Sequence, residues 1–394
     1  MTLALDHIRV LDLTTLLLGP FATSILADFG AEIIKIESPT RPDLMRTLPP
    51  LVGDPKSKNR LSAVFHSLNR NKKSLTLNLK TKEGKKIFKN LVKTADILIE
   101  QFRPDVMKRL ELDYSVLNKI NPSLIYCSIT GYGQNGPYRD RVGHDINYIG
   151  VSGMASLTGM DEPVLQGAQV ADIGAGSLNA VIGILIALIA REKTFKGQYI
   201  DISMTDGTIP WLQIPLISYL ASGEKQPRGK IQVSGALASY NIYKCKDGKY
   251  LTIGALEPKF YTNLCKALNR CDLNRYYMNF EKQEFVKKEL EKIFLTKDRD
   301  TWLKELGDKE ICIAPLNEIW EVEDDPQVQA RNMIIKMVTP YGLIKQIAPA
   351  IRLTETPASI RTTAPQLGEH TDEILQELGY SPETIQHYRE QRIV

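Results

Sequence analysis

Two short segments carry side chains that could move a proton. His144 and Asp145 are neighbours in residues 143–148, Gly-His-Asp-Ile-Asn-Tyr, and Asp172 lies in residues 171–174, Ala-Asp-Ile-Gly. An imidazole titrates near neutral pH, and burial can raise the pKa of a carboxyl toward the same range. These residue types could therefore act as general acids and bases on a bound substrate.

Each candidate also has a purely structural interpretation. His144 could bond a backbone carbonyl, and Asp172, which precedes a long apolar segment, could cap the helix that this segment predicts. Glu257, in residues 256–261, Leu-Glu-Pro-Lys-Phe-Tyr, could be a surface glutamate before a turn-forming proline. These alternatives stay open for each residue taken alone.

The composition is that of a globular protein of about two domains, since 394 residues exceed the size at which one core usually stops growing. Hydrophobic residues make up 43% and charged residues 24% of the chain, as is usual for such proteins. The net charge of +4 is small for this length. We therefore expect no nucleic-acid partner.

Cysteine usage and apolar runs indicate the cellular setting. The five cysteines include no CxxC pair, so we expect reduced, buried thiols and neither disulfides nor a metal site. The N-terminal residues lack the pattern of a signal peptide. The longest apolar run, residues 180–190, is too short for a bilayer, which needs roughly 20 residues. We expect a cytoplasmic protein without a membrane partner.

Hydrophobic periodicity predicts an α/β fold. Residues 8–37 show the pattern strand, turn, helix, strand, which is a βαβ unit. Further strands are predicted at 74–79, 97–100, 124–129 and 201–204, and helices at 82–93 and 105–119. Because strands and helices alternate, the sheet should be parallel and covered on both faces.

The later part of the chain predicts a second, smaller domain. A helix over about 176–193 is apolar all round and should be buried. A composition shift at 222–229 indicates a linker, and strands on either side of Asp247-Gly248 predict a hairpin. We place a large domain at 1–222, a small α+β domain at 235–325 and a proline-rich return segment at 340–394.

Segments along nearly the whole chain are similar, in order, to those of one family. They lie at residues 8–13, 19–20, 28–37, 69–80, 102–104, 128–137, 143–148, 171–174, 256–261 and 368–371. Together they resemble the α-methylacyl-CoA racemases, a branch of the class III CoA-transferase (CaiB/BaiF-like) family. The resemblance implies a Rossmann-like, CoA-binding large domain that the return segment completes, a smaller α+β domain and an interlocked homodimer.

The resemblance also implies a reaction, the inversion of carbon 2 in a 2-methylacyl-CoA thioester through an enolate. His144 and Asp172 match the family's two proton-transferring residues, and Glu257 matches a glutamate that orients the histidine. Backbone amides around Asp145 and Asp172 are the expected donors to the enolate oxygen. Coenzyme A enters as part of the acyl-CoA substrate, and no further cofactor is expected.

A CoA site needs cations for the phosphates and an apolar channel for the pantetheine arm. The predicted substrate and CoA residues are Arg41, Leu77, Lys80, Gln101, Phe102, Arg103, Arg109, Gly143, Asn147 and Tyr148. Further basic candidates are Arg70, Lys72 and Lys73. For several of these cations the alternative is a solvated surface charge.

A class III CoA-transferase, which moves CoA between carboxylic acids, is the main alternative. In that branch Asp145 would match the position of the aspartate nucleophile, and the length of segment 41–66 resembles its members. Two features favour the racemase. His144 directly precedes Asp145, and residues 233–237 lack the glycine run of the transferases' mobile loop.

Two other classes are less consistent with the sequence. An NAD-dependent oxidoreductase is disfavoured because Pro20 removes an amide from the turn that would hold a pyrophosphate. A non-catalytic binding protein would require His144, Asp172 and Glu257 all to be inert. Activity on an acyl-CoA would decide against that class.

Overall fold

The part of the chain that the computed structural model describes, residues 2–54 and 60–394, divides into two units. Residues 55–59, within the long segment 41–66, lie outside the described residues. Unit 1 comprises Met1–Ser152, Ala168–Trp211 and Asn332–Val394. Unit 2 comprises Gly153–Gly167 and Leu212–Arg331. Unit 2 therefore includes residues 153–167 and 212–222, which were predicted to belong to the large domain. The chain returns to unit 1 at residue 332, a few residues before the predicted return segment.

Six parallel strands form the central sheet of unit 1. In spatial order they are Lys72–Thr76, Glu32–Glu37, Arg9–Asp12, Ile97–Glu100, Ile125–Thr130 and Tyr199–Ser203. Counted along the chain, this order is 3-2-1-4-5-6, the doubly wound arrangement. The central strands are rich in Ile, Leu and Val because both of their faces are buried. The predicted α/β fold with a parallel sheet is confirmed.

Helices cover the sheet and connect its strands. The α-helices of unit 1 are Leu18–Asp28, Ala63–Asn69, Lys82–Val92, Val106–Arg109, Tyr114–Leu117, Asp145–Val151, Asn179–Thr194, Met204–Thr208, Thr371–Glu377 and Pro382–Glu390. Two antiparallel pairs add Leu51–Val52 with Leu61–Ser62, and Ile334–Thr339 with Gly342–Ile347. Short 3₁₀ turns occur in the chain at Leu44–Arg46, Met154–Leu157, Ile209–Leu212, Cys271–Tyr276, Phe280–Lys282 and Val322–Asp324.

The last residues of the chain fasten to the edge of this sheet. The His370 amide donates to the Ser74 carbonyl at 3.0 Å, and the Asn78 amide donates to the Ile393 carbonyl at 2.7 Å. Ile374 belongs to the same apolar core as the sheet. The C-terminal helices therefore complete the core of unit 1.

The predicted helix over 105–119 is wrong as a single element. The structure has two short helices, Val106–Arg109 and Tyr114–Leu117, and the backbone between them reverses at Glu111, whose φ is +57°. The Asp113 carboxylate accepts from the Ser115 amide and so begins a new helix. Periodicity alone did not reveal this break, since Met107, Leu110, Tyr114 and Leu117 keep helical spacing across it.

The apolar helix differs from its prediction in length and burial. A π-helical segment, Ala171–Leu178, runs directly into the α-helix Asn179–Thr194. Together they make one apolar 24-residue helix, which by length and composition alone could cross a membrane. Ile182, Ile186 and Ile189 are 53%, 61% and 60% exposed. The prediction that this helix is buried on all sides is therefore wrong for the single chain. The interlocked homodimer stays a prediction.

Unit 2 has an antiparallel sheet of three strands in the order Ile313–Leu316, Tyr250–Gly254, Tyr240–Lys244. The predicted hairpin is present, and Gly248 at its turn has φ +83°, which glycine adopts without strain. The α-helices of unit 2 are Gln213–Ser222, Pro258–Ala267, Gln283–Phe294, Arg299–Leu306 and Pro326–Ala330. Tyr243, Leu251 and Phe294 lie in its core. The smaller unit is α+β, as predicted.

The cysteines are free thiols, as expected, but their burial varies. Cys127, Cys245 and Cys265 are buried, whereas Cys271 and Cys312 are exposed. The expectation of buried thiols is therefore wrong for the last two. Among the described residues, no group of three His, Cys, Asp or Glu side chains is placed to hold a metal ion.

Candidate functional site

A cavity of about 680 Å³ opens in unit 1 at the carboxyl ends of the parallel strands. Its walls include residues 16–18, 101–104 and 131–132, which follow the strands Arg9–Asp12 and Ile97–Glu100 and the neighbouring strand Ile125–Thr130. The first and fourth strands are adjacent, and the order of the sheet reverses there. In doubly wound sheets a ligand crevice forms at this reversal.

His144 lines this cavity at the start of the helix Asp145–Val151. The His144 amide donates to Asn147 Oδ1 at 3.0 Å, and the Tyr148 hydroxyl donates to the Gly143 carbonyl at 2.5 Å. A Cβ added at Gly143 would lie 2.8 Å from the Tyr148 ring, so only glycine fits at this close approach. The polar residues of segment 143–148 thus fix the backbone that presents the imidazole.

Asp172 lines the same cavity from the first turn of the π-helical segment Ala171–Leu178. Burial, and secondarily the nearby Asp145 carboxylate, raise the pKa of Asp172 to about 6, although the His144 charge opposes this shift. Asp172 is the second residue of the helical segment, and the N-cap position before that segment is Val170, which forms no side-chain cap. The capping interpretation of Asp172 is therefore wrong.

Asp145 occupies a different position from the other two candidates. It lies in the first turn of its helix, and its Oδ1 accepts from the backbone amide of Asp172 at 2.9 Å. It is not among the residues that line the cavity. The Asp145 carboxylate therefore connects segment 143–148 to segment 171–174. Because the Asp172 amide already donates to Asp145, it is not free to donate to an enolate oxygen.

The predicted CoA residues divide into two groups. Those that line the cavity are Gln101, Phe102, Arg103, Gly143, Asn147 and Tyr148. The Leu77 side chain, only 1% exposed, packs in the core and does not line the cavity, so the predicted contact of Leu77 with CoA stays a prediction. Arg41, Lys80 and Arg109 are exposed, and none of the three lines the cavity. Their contacts with CoA stay predictions.

Three further basic candidates are structural. The Arg70 guanidinium pairs with Asp28 at 2.7 Å, and the Lys72 ammonium pairs with Asp12 at 3.3 Å, all four side chains being buried. Lys73 pairs with Glu32 and Glu373. Because Arg70 and Lys72 are paired with buried carboxylates, these two residues do not supply a phosphate site, whereas Lys73 is partly exposed at the surface.

Glu257 lies in unit 2, where it immediately precedes the helix Pro258–Ala267 and is exposed. Its proposed role beside His144 stays a prediction.

Sequence reasoning missed two arginines that line the cavity. Arg139 pairs with Asp105 at 2.6 Å, and the Arg141 guanidinium lies 3.6 Å from the centre of the Tyr138 ring. Both lie within four residues before Gly143 in the sequence, so their closeness to the His144 segment was an available signal. Arg141 adds positive charge to the wall beside Arg103, whereas the charge of Arg139 is offset by Asp105 and Asp140.

Replacing Asp172 with asparagine is expected to raise the free energy of unfolding above about pH 6. The pKa of about 6, against an ordinary 3.8, means that the folded protein binds this proton more tightly than the unfolded chain does. The carboxyl thus favours the fold at low pH, and this contribution is lost as the pH rises from about 4 to about 6. Denaturant titrations of Asp172→Asn and its parent at both ends of this range measure the effect. A gain in stability that is no larger at high pH would contradict it.

The sequence and the fold are similar to proteins of known class. A model of CoA-transferase family III matches residues 5–371. Succinyl-CoA:glutarate CoA-transferase of Homo sapiens is 35% identical over 384 residues, which cover 95% of this chain and 86% of that protein. Alpha-methylacyl-CoA racemase of Homo sapiens is 33% identical over 403 residues, covering 100% of this chain and 98% of that protein. The crystal structure of a CaiB/BaiF family protein from Brucella suis has a TM-score of 0.84 and 34% identity, covering 96% of this chain and 100% of that one.

Proposed function

The chain belongs to CoA-transferase family III, and from this premise we propose that it is a racemase of 2-methylacyl-CoA thioesters. One observation carries the proposal: His144 and Asp172 line a single cavity from two separate segments, and the pKa of Asp172 is raised to about 6. A carboxyl that titrates there can both take and return a proton near neutral pH. An imidazole in the same cavity supplies the second acid–base group.

The reaction needs two proton transfers at carbon 2. One of the two residues removes the α-proton, and the electron pair of the broken C–H bond moves into the enolate, whose oxygen takes the negative charge. The other residue then delivers a proton to the opposite face. The first-turn amides of Asp145 and Ile146 have no partner within their helix, so they are the expected donors to the enolate oxygen.

The chemistry of the cavity wall supports a CoA thioester as the ligand. Leu16–Leu18, Phe102 and Met204 give an apolar surface for the pantetheine arm and the acyl group. Arg103 and Arg141 line the same cavity and can bind phosphate oxygens through their planar guanidinium groups. A homodimer and a cytoplasmic location remain part of the proposal.

Incubation of a single-enantiomer 2-methylacyl-CoA with the protein in deuterated water tests the proposal. We expect deuterium at carbon 2 together with the opposite configuration, with no second carboxylic acid present, because each inversion exchanges the α-proton with a group that equilibrates with solvent. Mass spectrometry and chiral chromatography of the product give both readouts. Unchanged configuration without deuterium would contradict racemisation.

CoA transfer between carboxylic acids is the second candidate, because relatives with that activity are as similar as the racemases. For this reaction the geometry favours Asp172 as nucleophile over Asp145, since only the former lines the cavity. The Asp172 carboxylate oxygen would form an anhydride with the acyl group and release the CoA thiolate. Trapping of an acyl hydroxamate by hydroxylamine, dependent on Asp172, would favour this candidate over the racemase.

A further inference from the structure

Glu100 is a buried carboxyl that directly precedes the cavity wall 101–104 in the chain and has no part in the proposed proton transfers. It is the last residue of the strand Ile97–Glu100, and it is 4% exposed. The residues that follow it, 101–104, form one wall of the cavity. The position of this wall therefore depends on the backbone conformation immediately after Glu100, where the strand ends.

Hydrogen bonds hold the wall segment 101–104 at several places, of which three involve side chains as donor or acceptor at 2.9 Å or less. Glu100 Oε2 accepts from the Phe102 amide at 2.7 Å. The Gln101 side chain donates to the Thr15 carbonyl at 2.9 Å, and the Arg103 guanidinium donates to the Asp140 carbonyl at 2.7 Å. The acceptor of the first bond is a buried carboxylate, so the loss of this bond would cost more free energy than the loss of an exposed hydrogen bond.

The surroundings of Glu100 make its charge sensitive to pH. Burial raises the pKa of Glu100 to about 7, against the opposing effects of hydrogen bonds from the Ser128 hydroxyl and the Phe102 amide. Asp201 on a nearby strand raises the pKa as well. The other titratable or charged groups around it, including those lining an adjoining 210 Å³ cavity, are Arg103, Asp105, Lys108, Asp113, Tyr114, Tyr126, Cys127 and Tyr199.

We propose that Glu100 is a positioning residue for CoA binding, and that its carboxylate, by accepting the Phe102 amide, holds the wall segment 101–104 in the conformation that receives the CoA moiety. This inference rests on the proposed function in one respect, since it takes a CoA thioester as the ligand of this cavity. It holds equally for a racemase and for a transferase, because both must bind CoA.

The ionised carboxylate is a stronger acceptor than the protonated acid. As the pH falls through about 7, Glu100 takes up a proton and the bond to the Phe102 amide weakens. The wall segment is then less well fixed, and the affinity for CoA decreases. A residue with a merely structural role at this position would not give CoA binding such a pH dependence.

Calorimetric titration with free CoA tests the inference without any assay of catalysis. In Glu100→Ala we expect the Kd for CoA to rise by about tenfold, the effect of losing one charge-assisted hydrogen bond. In Glu100→Gln, whose side chain cannot titrate, the Kd should change less between about pH 6 and about pH 8 than in the parent. If Glu100→Ala fails to fold, as judged by circular dichroism, the pH profile of Glu100→Gln decides.

Asp96→Asn is the matched control, because Asp96 also accepts a backbone amide, that of Arg9 at 2.8 Å, but at the opposite end of the same strand. It should leave the Kd for CoA and its pH dependence unchanged. An unchanged Kd in Glu100→Ala, or a parental pH profile in Glu100→Gln, would overturn the inference. A parent protein that binds no CoA would instead overturn the proposed function, so the two failures are distinguishable.

Discussion

The Asp172→Ala variant is expected to racemise 2-methylacyl-CoA about 10²–10⁴-fold more slowly than the parent, the usual contribution of a positioned general acid or base. Asp172 lines the cavity, and its pKa of about 6 allows it to exchange a proton near neutral pH, which alanine cannot do. His144→Ala should lose activity to a similar extent because the second face then has no proton donor. Chiral chromatography of the acyl product gives the rate.

The loss should lie in turnover and leave CoA binding nearly intact, since neither variant removes an apolar or cationic wall residue. Asp201→Asn is the control: Asp201 is also a carboxyl whose pKa is raised, but it is exposed and does not line the cavity. Its activity should stay close to that of the parent. Full activity in His144→Ala would refute the two-base assignment, whereas loss of CoA binding in both variants would point to a collapsed site.

The Asp12→Ala variant is expected to lower the free energy of unfolding of unit 1 by about 3–5 kcal/mol. Asp12 ends the central strand Arg9–Asp12 and pairs at 3.3 Å with Lys72, both side chains being fully buried. Alanine would leave the buried Lys72 side chain without its carboxylate partner. Asp12 also accepts from Thr14 and Thr23, so these buried donors would lose their partner as well. Denaturant titration followed by circular dichroism measures the change.

A double variant separates the lost ion pair from lost packing. In Asp12→Ala/Lys72→Met the unpaired ammonium is absent, so the destabilisation should be smaller than the sum of the two single changes. Lys259→Ala serves as the surface control, because the pair of Lys259 with Glu310 is 63% exposed on both sides and should contribute less than about 1 kcal/mol. Additive effects of the two buried substitutions would show that Asp12 and Lys72 do not depend on each other.

Much of the fold follows from local sequence patterns. The strand Ile97–Glu100 and the helix Lys82–Val92 lie within a residue or so of their predicted bounds, because apolar runs and amphipathic spacing act over short distances. The break between Val106–Arg109 and Tyr114–Leu117 was missed, since a single left-handed residue ended a pattern that otherwise suited a helix. The exposure of Ile186 was missed because helical periodicity reports only that a face is apolar and not what covers it.

The candidate site was predictable to the extent that its residues are neighbours in sequence. His144, Asn147 and Tyr148 lie in one segment whose hydrogen bonds are local, and Phe102 and Arg103 follow a strand that periodicity located. Basic residues were the weak point. The sequence does not show whether a lysine or arginine faces solvent, a ligand or a buried aspartate. Only the tertiary structure identifies the group that the cation contacts.

The sequence by itself determined the parallel α/β sheet, the residue types available for proton transfer and the family to which the chain belongs. The tertiary structure alone decided that Asp172 lines the cavity while Asp145 binds its amide, that Lys72 neutralises Asp12, and that Leu77 packs in the core. The physical reason is that burial and charge pairing depend on groups distant in the chain, such as Asp145 and Asp172, 27 residues apart. Those pairings, more than residue type, set the pKa and the accessibility of a side chain.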